Sequence, residues 1–133
     1  EIDNLSKHIN IIYEKIFKKY GLQRGQFAFI TRIVENKNIN LKQLAQNIRV
    51  DKATVTKAMQ KLEESGYVIK KIDQTDNRII HLLPTEKCTR IYTCIIQEKN
   101  QLLSSIINKF TSKELELYIS ITRDINICLD KIR

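Results

Sequence analysis

The stretch 40-NLKQLAQNIRVDKATVTKAMQKLEESG-66 decides the fold. Asn40 is placed to cap a short helix over 41–48, with Leu41, Leu44, Ala45 and Ile48 inward at helical spacing. Arg49-Val50-Asp51 leaves room only for a tight turn. Asp51 is a second cap, because a short polar side chain there accepts a hydrogen bond from an amide the new helix leaves unpaired. That helix runs from Lys52 to Ser65, and Val55, Met59 and Leu62 mark its buried face at steps of four and three. Gly66 stops it. A short helix, a three-residue turn and a second helix form a helix-turn-helix.

Working outward, two runs rich in β-branched and long apolar residues follow, 67–72 and 79–83. Between them lies the polar segment Asp73-Gln74-Thr75-Asp76-Asn77-Arg78, so a β-hairpin with a long tip is expected. On the upstream side, 24–36 reads as a helix with Phe27, Ile30 and Val34 inward. Before it, 4–20 carries Leu5, Ile9, Ile12, Ile16 and Tyr20 on one face, and Lys18, Lys19 and Gly21 end it. Downstream, Pro84-Thr85 opens a long helix over roughly 86–109. Thr111-Ser112-Lys113-Glu114 is a capping box for a last helix bearing Leu115, Tyr118, Ile121, Ile125, Cys128 and Ile132. The fold class expected is mainly α with a small β-hairpin wing: a winged helix-turn-helix with flanking N- and C-terminal helices.

Composition agrees. The chain has 133 residues, the length of one domain, with 42% hydrophobic and 29% charged residues. Three Gly and one Pro are too few for an all-β fold. Three cysteines, Cys88, Cys94 and Cys128, do not make a disulfide framework, and a reducing cytoplasm is expected. No stretch is apolar enough for a membrane span, so no membrane partner is expected. Catalysis and metal binding lack their residues: His8 and His81 are far apart, and there is no Gly-rich phosphate loop, GxSxG, CxxC or HExxH. Neither a catalytic site, a metal nor a cofactor is expected.

The net charge is +8, which favours acidic partners such as nucleic acid. It is spread along the chain, with +3 over 1–39, +3 over 40–84 and +2 over 85–133, so charge alone does not locate a face. The helix-turn-helix does. Its second helix can enter the major groove of double-stranded DNA, where outward side chains reach base edges. Ala53, Lys57 and Gln60 lie opposite the buried face, flanked by Thr54, Thr56 and Lys61. Ala53 and the threonine methyls suit thymine methyls, Gln60 suits adenine, and Lys52 and Lys61 suit phosphates. Arg78 at the hairpin tip suits a narrow, electronegative minor groove, oriented by Asp76. The same two residues also read as a plain surface ion pair.

The order of these motifs resembles the MarR family of bacterial and archaeal winged-helix regulators. Leu22-Gln23-Arg24-Gly25-Gln26-Phe27 is similar to the family's LTxxQF opening, and Val50 to Lys57 with Leu62 to Val68 resembles its recognition helix and following strand. Asp73 to Arg78 is similar to the wing motif D-x-x-D-x-R. Leu83 to Cys88 matches LTxxG in part: Pro84 is inserted before the Thr, and Cys88 stands where Gly is usual. The resemblance spans the chain. It implies one domain over 1–133, with a DNA-binding lobe at 22–84 and dimerisation helices at 1–21 and 85–133. It further implies a homodimer on a pseudopalindromic operator, usually a repressor. The apolar stripes of the three terminal helices agree, since they exceed what the lobe needs for its own core.

Many members of the family release DNA on binding small, often aromatic, acids. Tyr13, Phe17, Tyr20 and Phe27 are the candidates to line such a cleft, although residues at this helical spacing are more often plain core. Some relatives sense oxidants through a first-helix cysteine, and this chain has none before Cys88. Cys128 falls on the last stripe and is expected as inert core, Cys94 off its stripe, and His81 as a partly exposed sheet residue. The competing class is a winged-helix protein–protein module with no operator. The outward Lys52, Lys57, Gln60 and Arg78 disfavour it.

Overall fold

The computed structural model describes residues 1–132. Six helices and one hairpin follow in the order α1 (Ile2–Lys19), α2 (Arg24–Glu35), α3 (Leu41–Ile48), α4 (Lys52–Glu64), β1 (Val68–Ile72), β2 (Ile80–Pro84), α5 (Glu86–Ile107) and α6 (Ser112–Ile132). The chain divides into two compact units, Glu1–Gln97 and Glu98–Arg133.

In the first unit the expected caps form. The Asn40 side chain accepts from the Gln43 amide at 2.8 Å, and Gln43 Oε1 accepts from the Asn40 amide at 3.0 Å. A reciprocal pair of this kind silences two amides that the first turn would otherwise leave unpaired. The residue that ends α3 is Arg49, in the left-handed region at φ 59. Glycine is the usual choice there, because a side chain meets steric resistance at that φ. With Arg49 in that conformation, its amide closes on Gln46 at 3.3 Å and the Val50 amide on Ala45 at 3.2 Å. This fixes the turn between the two helices. Gly66, at φ 74, ends α4 as expected.

Val55, Met59 and Leu62 are fully buried, together with Leu44, Ile30, Ile33 and Leu82. Burying one such side chain contributes roughly 1.5–3 kcal/mol before entropy is counted. On α2 the inward residues are Phe27, Phe29, Ile30 and Ile33, while Val34 packs at the edge of the core. The expected Phe27, Ile30 and Val34 all meet the core, and Phe29 and Ile33 widen the buried face beyond them.

β1 and β2 pair antiparallel with Val68 opposite Pro84 and Ile72 opposite Ile80. The far side of β2 meets the segment before α3: Asn40 bridges to His81, and the Leu82 amide donates to the Ile39 carbonyl at 2.8 Å. The hairpin is thus fastened to the helix-turn-helix on one edge. α1 buries Phe17 alone, and its Leu5 and Ile12 stay exposed.

In the second unit the Thr111 capping box forms. The Thr111 amide donates to Glu114 Oε2 at 2.8 Å and the Glu114 amide donates to Thr111 Oγ1 at 3.3 Å. α6 buries none of its residues within this chain. Cys128 is exposed, which corrects its expected place in the core. The stripe that carries it is real, but within this chain it is uncovered.

Candidate nucleic-acid interface

α4 begins with Asp51, whose carboxylate accepts from the Thr54 amide at 2.9 Å and the Thr54 hydroxyl at 2.6 Å. These bonds hold the Asp51 carboxyl below its ordinary pKa. With one face of α4 buried, Lys52, Ala53, Thr54, Thr56, Lys57, Gln60 and Lys61 all lie exposed. The Thr54 hydroxyl is committed to the cap, and the Thr56 hydroxyl donates to the Lys52 carbonyl at 2.8 Å. Their methyl groups remain as contact surface. Gln60 Nε2 donates to Glu64 Oε1 at 3.1 Å, so Gln60 exchanges one exposed bond when it turns to another partner.

The hairpin tip is built around two aspartates. Asp73 Oδ1 accepts from the Thr75 amide at 2.9 Å, the Thr75 hydroxyl at 2.7 Å and the Asp76 amide at 3.1 Å. Asp73 Oδ2 lies 2.8 Å from His81 Nε2. The His81 contact, then the Thr75 bonds, hold the Asp73 carboxyl far below its ordinary pKa. Asp76 accepts from the Arg78 amide and Nε, each at 3.0 Å, and from Nη2 at 3.1 Å. This contact lowers the Asp76 pKa, while the Arg78 side chain is 90% exposed. The ion pair and the groove-reaching guanidinium are thus one arrangement: the pairing orients a cation that faces solvent.

A groove of about 770 Å³ joins the two elements. Lys52 from α4 and Arg78 from the wing line it, with Lys42, Gln43 and Gln46 from α3. The remaining candidates, Ala53, Thr54, Thr56, Lys57, Gln60, Lys61 and Asp76, do not line this groove. Lys42 and Gln46 line the groove and were not among the residues expected from the sequence. Their signal was available, since they lie on the exposed side of the α3 stripe as Lys57 does on α4. Asn40 lines the groove too, and the two lysines with these side-chain amides suit phosphate oxygens.

The four aromatic candidates fall elsewhere. Phe17 and Phe27 stack at 4.8 Å and are 3% and 5% exposed, so both belong to the core. Tyr13 lies 6.3 Å from Phe17, and Lys19 stands over Tyr20 at 5.6 Å. Tyr92 extends the column 6.0 Å from Phe27, and its hydroxyl donates to Glu35 at 2.6 Å. Burial, then Glu35, pushes the Tyr92 pKa up to about 12. Among the described residues no group of three His, Cys, Asp or Glu side chains is placed to hold a metal, and no helix is long and apolar enough to cross a membrane.

A helix-turn-helix with a hairpin wing, a polar and basic face on its second helix and an arginine held at the wing tip define a winged-helix DNA-binding regulator. The MarR family model matches residues 22–80. The uncharacterized HTH-type transcriptional regulator YybA of Bacillus subtilis (strain 168) is 34% identical over 116 residues, covering 87% of this chain and 77% of the relative. The solved MarR protein from Peptoclostridium difficile DA00132 is 39% identical with a TM-score of 0.82, covering 98% of this chain and 85% of that one. A third similar structure is a MarR family transcriptional regulator from Listeria monocytogenes complexed with 26mer DNA. It is 27% identical with a TM-score of 0.79, and covers 96% of this chain and 85% of that one. The chain belongs to the MarR family of transcriptional regulators. It is a DNA-binding regulator and not an enzyme.

Proposed function

We propose that the protein acts in the cytoplasm as a homodimeric repressor on a pseudopalindromic operator, and that a small ligand releases it. The observation that carries the DNA-binding geometry is the shared groove, in which Lys52 of α4 and Arg78 of the wing stand together. Lys52, Lys61 and the α3 residues Lys42 and Gln46 take phosphates. Ala53, Thr54, Thr56, Lys57 and Gln60 face base edges in the major groove. Arg78, oriented by Asp76, enters the adjoining minor groove.

The dimer is supported by the bare face of α6. Leu117, Tyr118, Ile121 and Ile125 are 42–62% exposed, more apolar surface than an isolated helix keeps in water. A two-fold dimer sets its two reading helices one turn of DNA apart, about 34–36 Å. Release by a small aromatic acid is the reading for the aromatic column, with the half-buried Tyr13 and Tyr20 as the contact residues and Phe17 and Phe27 behind them. Repression follows if the occupied operator overlaps a promoter.

Footprinting on a retained genomic fragment tests the geometry. Two symmetric protected half-sites centred about 10–10.5 bp apart, or a multiple of that, are expected. A single asymmetric footprint would remove the two-fold dimer.

A further inference from the structure

The wing is fastened to the lobe where its polar tip begins. His81 Nδ1 lies 2.8 Å from the Asn38 carbonyl oxygen, and His81 Nε2 lies 2.8 Å from Asp73 Oδ2. Both partners are acceptors. A neutral imidazole carries one N–H, so it satisfies one of them and turns a lone pair on the other. Only the imidazolium, with two N–H groups, serves both. The ring therefore ties two segments together when charged: the loop before α3, where Asn38 sits at φ 59, and the root of the wing.

The tie continues to the tip. Asp73, held by His81, accepts from the Asp76 amide at 3.1 Å, and Asp76 holds Arg78 through its amide and guanidinium. Asn38, His81, Asp73, Asp76 and Arg78 thus run in one hydrogen-bonded line from the lobe to the exposed cation. We propose that charged His81 is a positioning residue for Arg78, so that its deprotonation loosens the wing and weakens DNA binding. The consequence for DNA rests on the wing contact proposed above.

The surroundings of the ring favour the charged form. β2 packs against β1, α2 and α3. The wing loop presents Asp73, and β1 presents Lys71, the residue directly across the ladder from His81. The loop before α3 presents the uncharged Asn38 carbonyl. The charged side chains on the other two packed elements are Arg24, Arg32 and Glu35 of α2 and Lys42 of α3. Asp73 and then Asn38 raise the His81 pKa above its ordinary 6.5, against burial and Lys71. A raised pKa means that the tie is complete below the ordinary value and is lost as pH rises through the raised one.

The test has two readouts on the full chain. The first is an NMR titration of the imidazole nitrogens and wing amides from about pH 5.5 to about pH 9. The His81 midpoint should lie above 6.5, and the amides of residues 73–80 should shift with it. Asp73→Asn should lower that midpoint. The second is anisotropy of a fluorescein-labelled duplex recovered by the wild-type protein from a random-sequence pool. Affinity should fall about threefold to tenfold across the midpoint, the scale of losing one hydrogen bond. His81→Gln should bind more weakly at low pH and lose this dependence. A His81 midpoint at or below 6.5, wing amides that do not follow it, or a wild-type pH profile in His81→Gln would overturn the proposal. If the wild type retains no duplex at any pH, the DNA geometry proposed above fails, and the NMR titration still decides the tie.

Discussion

The Asp76 carboxylate holds Arg78 on two sides: Oδ1 accepts from its backbone amide and Nε at 3.0 Å, and Oδ2 from Nη2 at 3.1 Å. The Arg78 side chain nevertheless remains 90% exposed. In stability terms an exposed ion pair is worth little. In binding terms it sets the direction of a cation before DNA arrives, which lowers the ordering cost on association.

Arg78→Ala should therefore weaken operator binding by about tenfold or more and leave the oligomeric state unchanged. Fluorescence anisotropy together with sedimentation reads both. Unaltered affinity would take the wing out of the interface. Asp76→Ala should cost less, because the cation remains and only its orientation is lost.

On α4, Lys57→Ala and Gln60→Ala should change which base is preferred at particular operator positions. Lys52→Ala, Lys61→Ala and, on α3, Lys42→Ala should weaken all duplexes alike and each reduce the salt slope by about 1. Selection from random duplexes, repeated at two salt concentrations, separates the groups. Uniform losses from Lys57→Ala and Gln60→Ala would move both residues to the phosphates.

The two caps of the helix-turn-helix should respond differently to acid. Asn40→Ala should cost about 1 kcal/mol, with no pH dependence of its own, since an amide does not titrate. Asp51 has a lowered pKa, so its contribution is complete above its ordinary 3.8 and is lost as pH falls through the lowered value. The deficit of Asp51→Ala should accordingly shrink in acid. Thermal melts of both variants from neutral to acid pH check this. A constant deficit for Asp51→Ala would mean that its bonds to Thr54 matter little.

Much of this was legible in local pattern. Asn40, Asp51, Thr111 and Gly66 announce helix ends because capping involves residues only a few positions apart. Val55, Met59 and Leu62 were readable because a helix repeats its faces. What escaped needs partners distant in sequence. His81 looked like an ordinary strand residue, since its two acceptors come from Asn38 and Asp73. Lys42 joins the groove only because α3 is set beside the wing. Arg49 takes a left-handed conformation with no glycine to signal it. The Cys128 stripe was visible, but a stripe says which face is apolar and not what covers it.

Two substitutions separate the core from the bare stripe. Leu44 is fully buried, and Leu44→Ala should cost about 2–5 kcal/mol. Ile125 is 42% exposed within this chain, and Ile125→Asp should leave the helix-turn-helix folded while dissociating the proposed dimer. Circular dichroism melts and sedimentation read the two effects. A dimer that survives Ile125→Asp would place the interface elsewhere.

The thiols should also be unequal. Burial pushes the Cys88 thiol up to about 11, so it should stay unmodified until the chain unfolds. Mass spectrometry after brief treatment with a small alkylating reagent should find Cys88 unlabelled. Rapid labelling there would mean that the junction of β2 and α5 opens readily.

The most direct measurement is sequencing of genomic DNA fragments retained by the purified protein at physiological salt. A sequence-reading dimer should enrich a short inverted repeat, with half-sites about one helical turn apart or a multiple of it. Even retention of all fragments, vanishing with modest added salt, would show electrostatic attraction alone and contradict it.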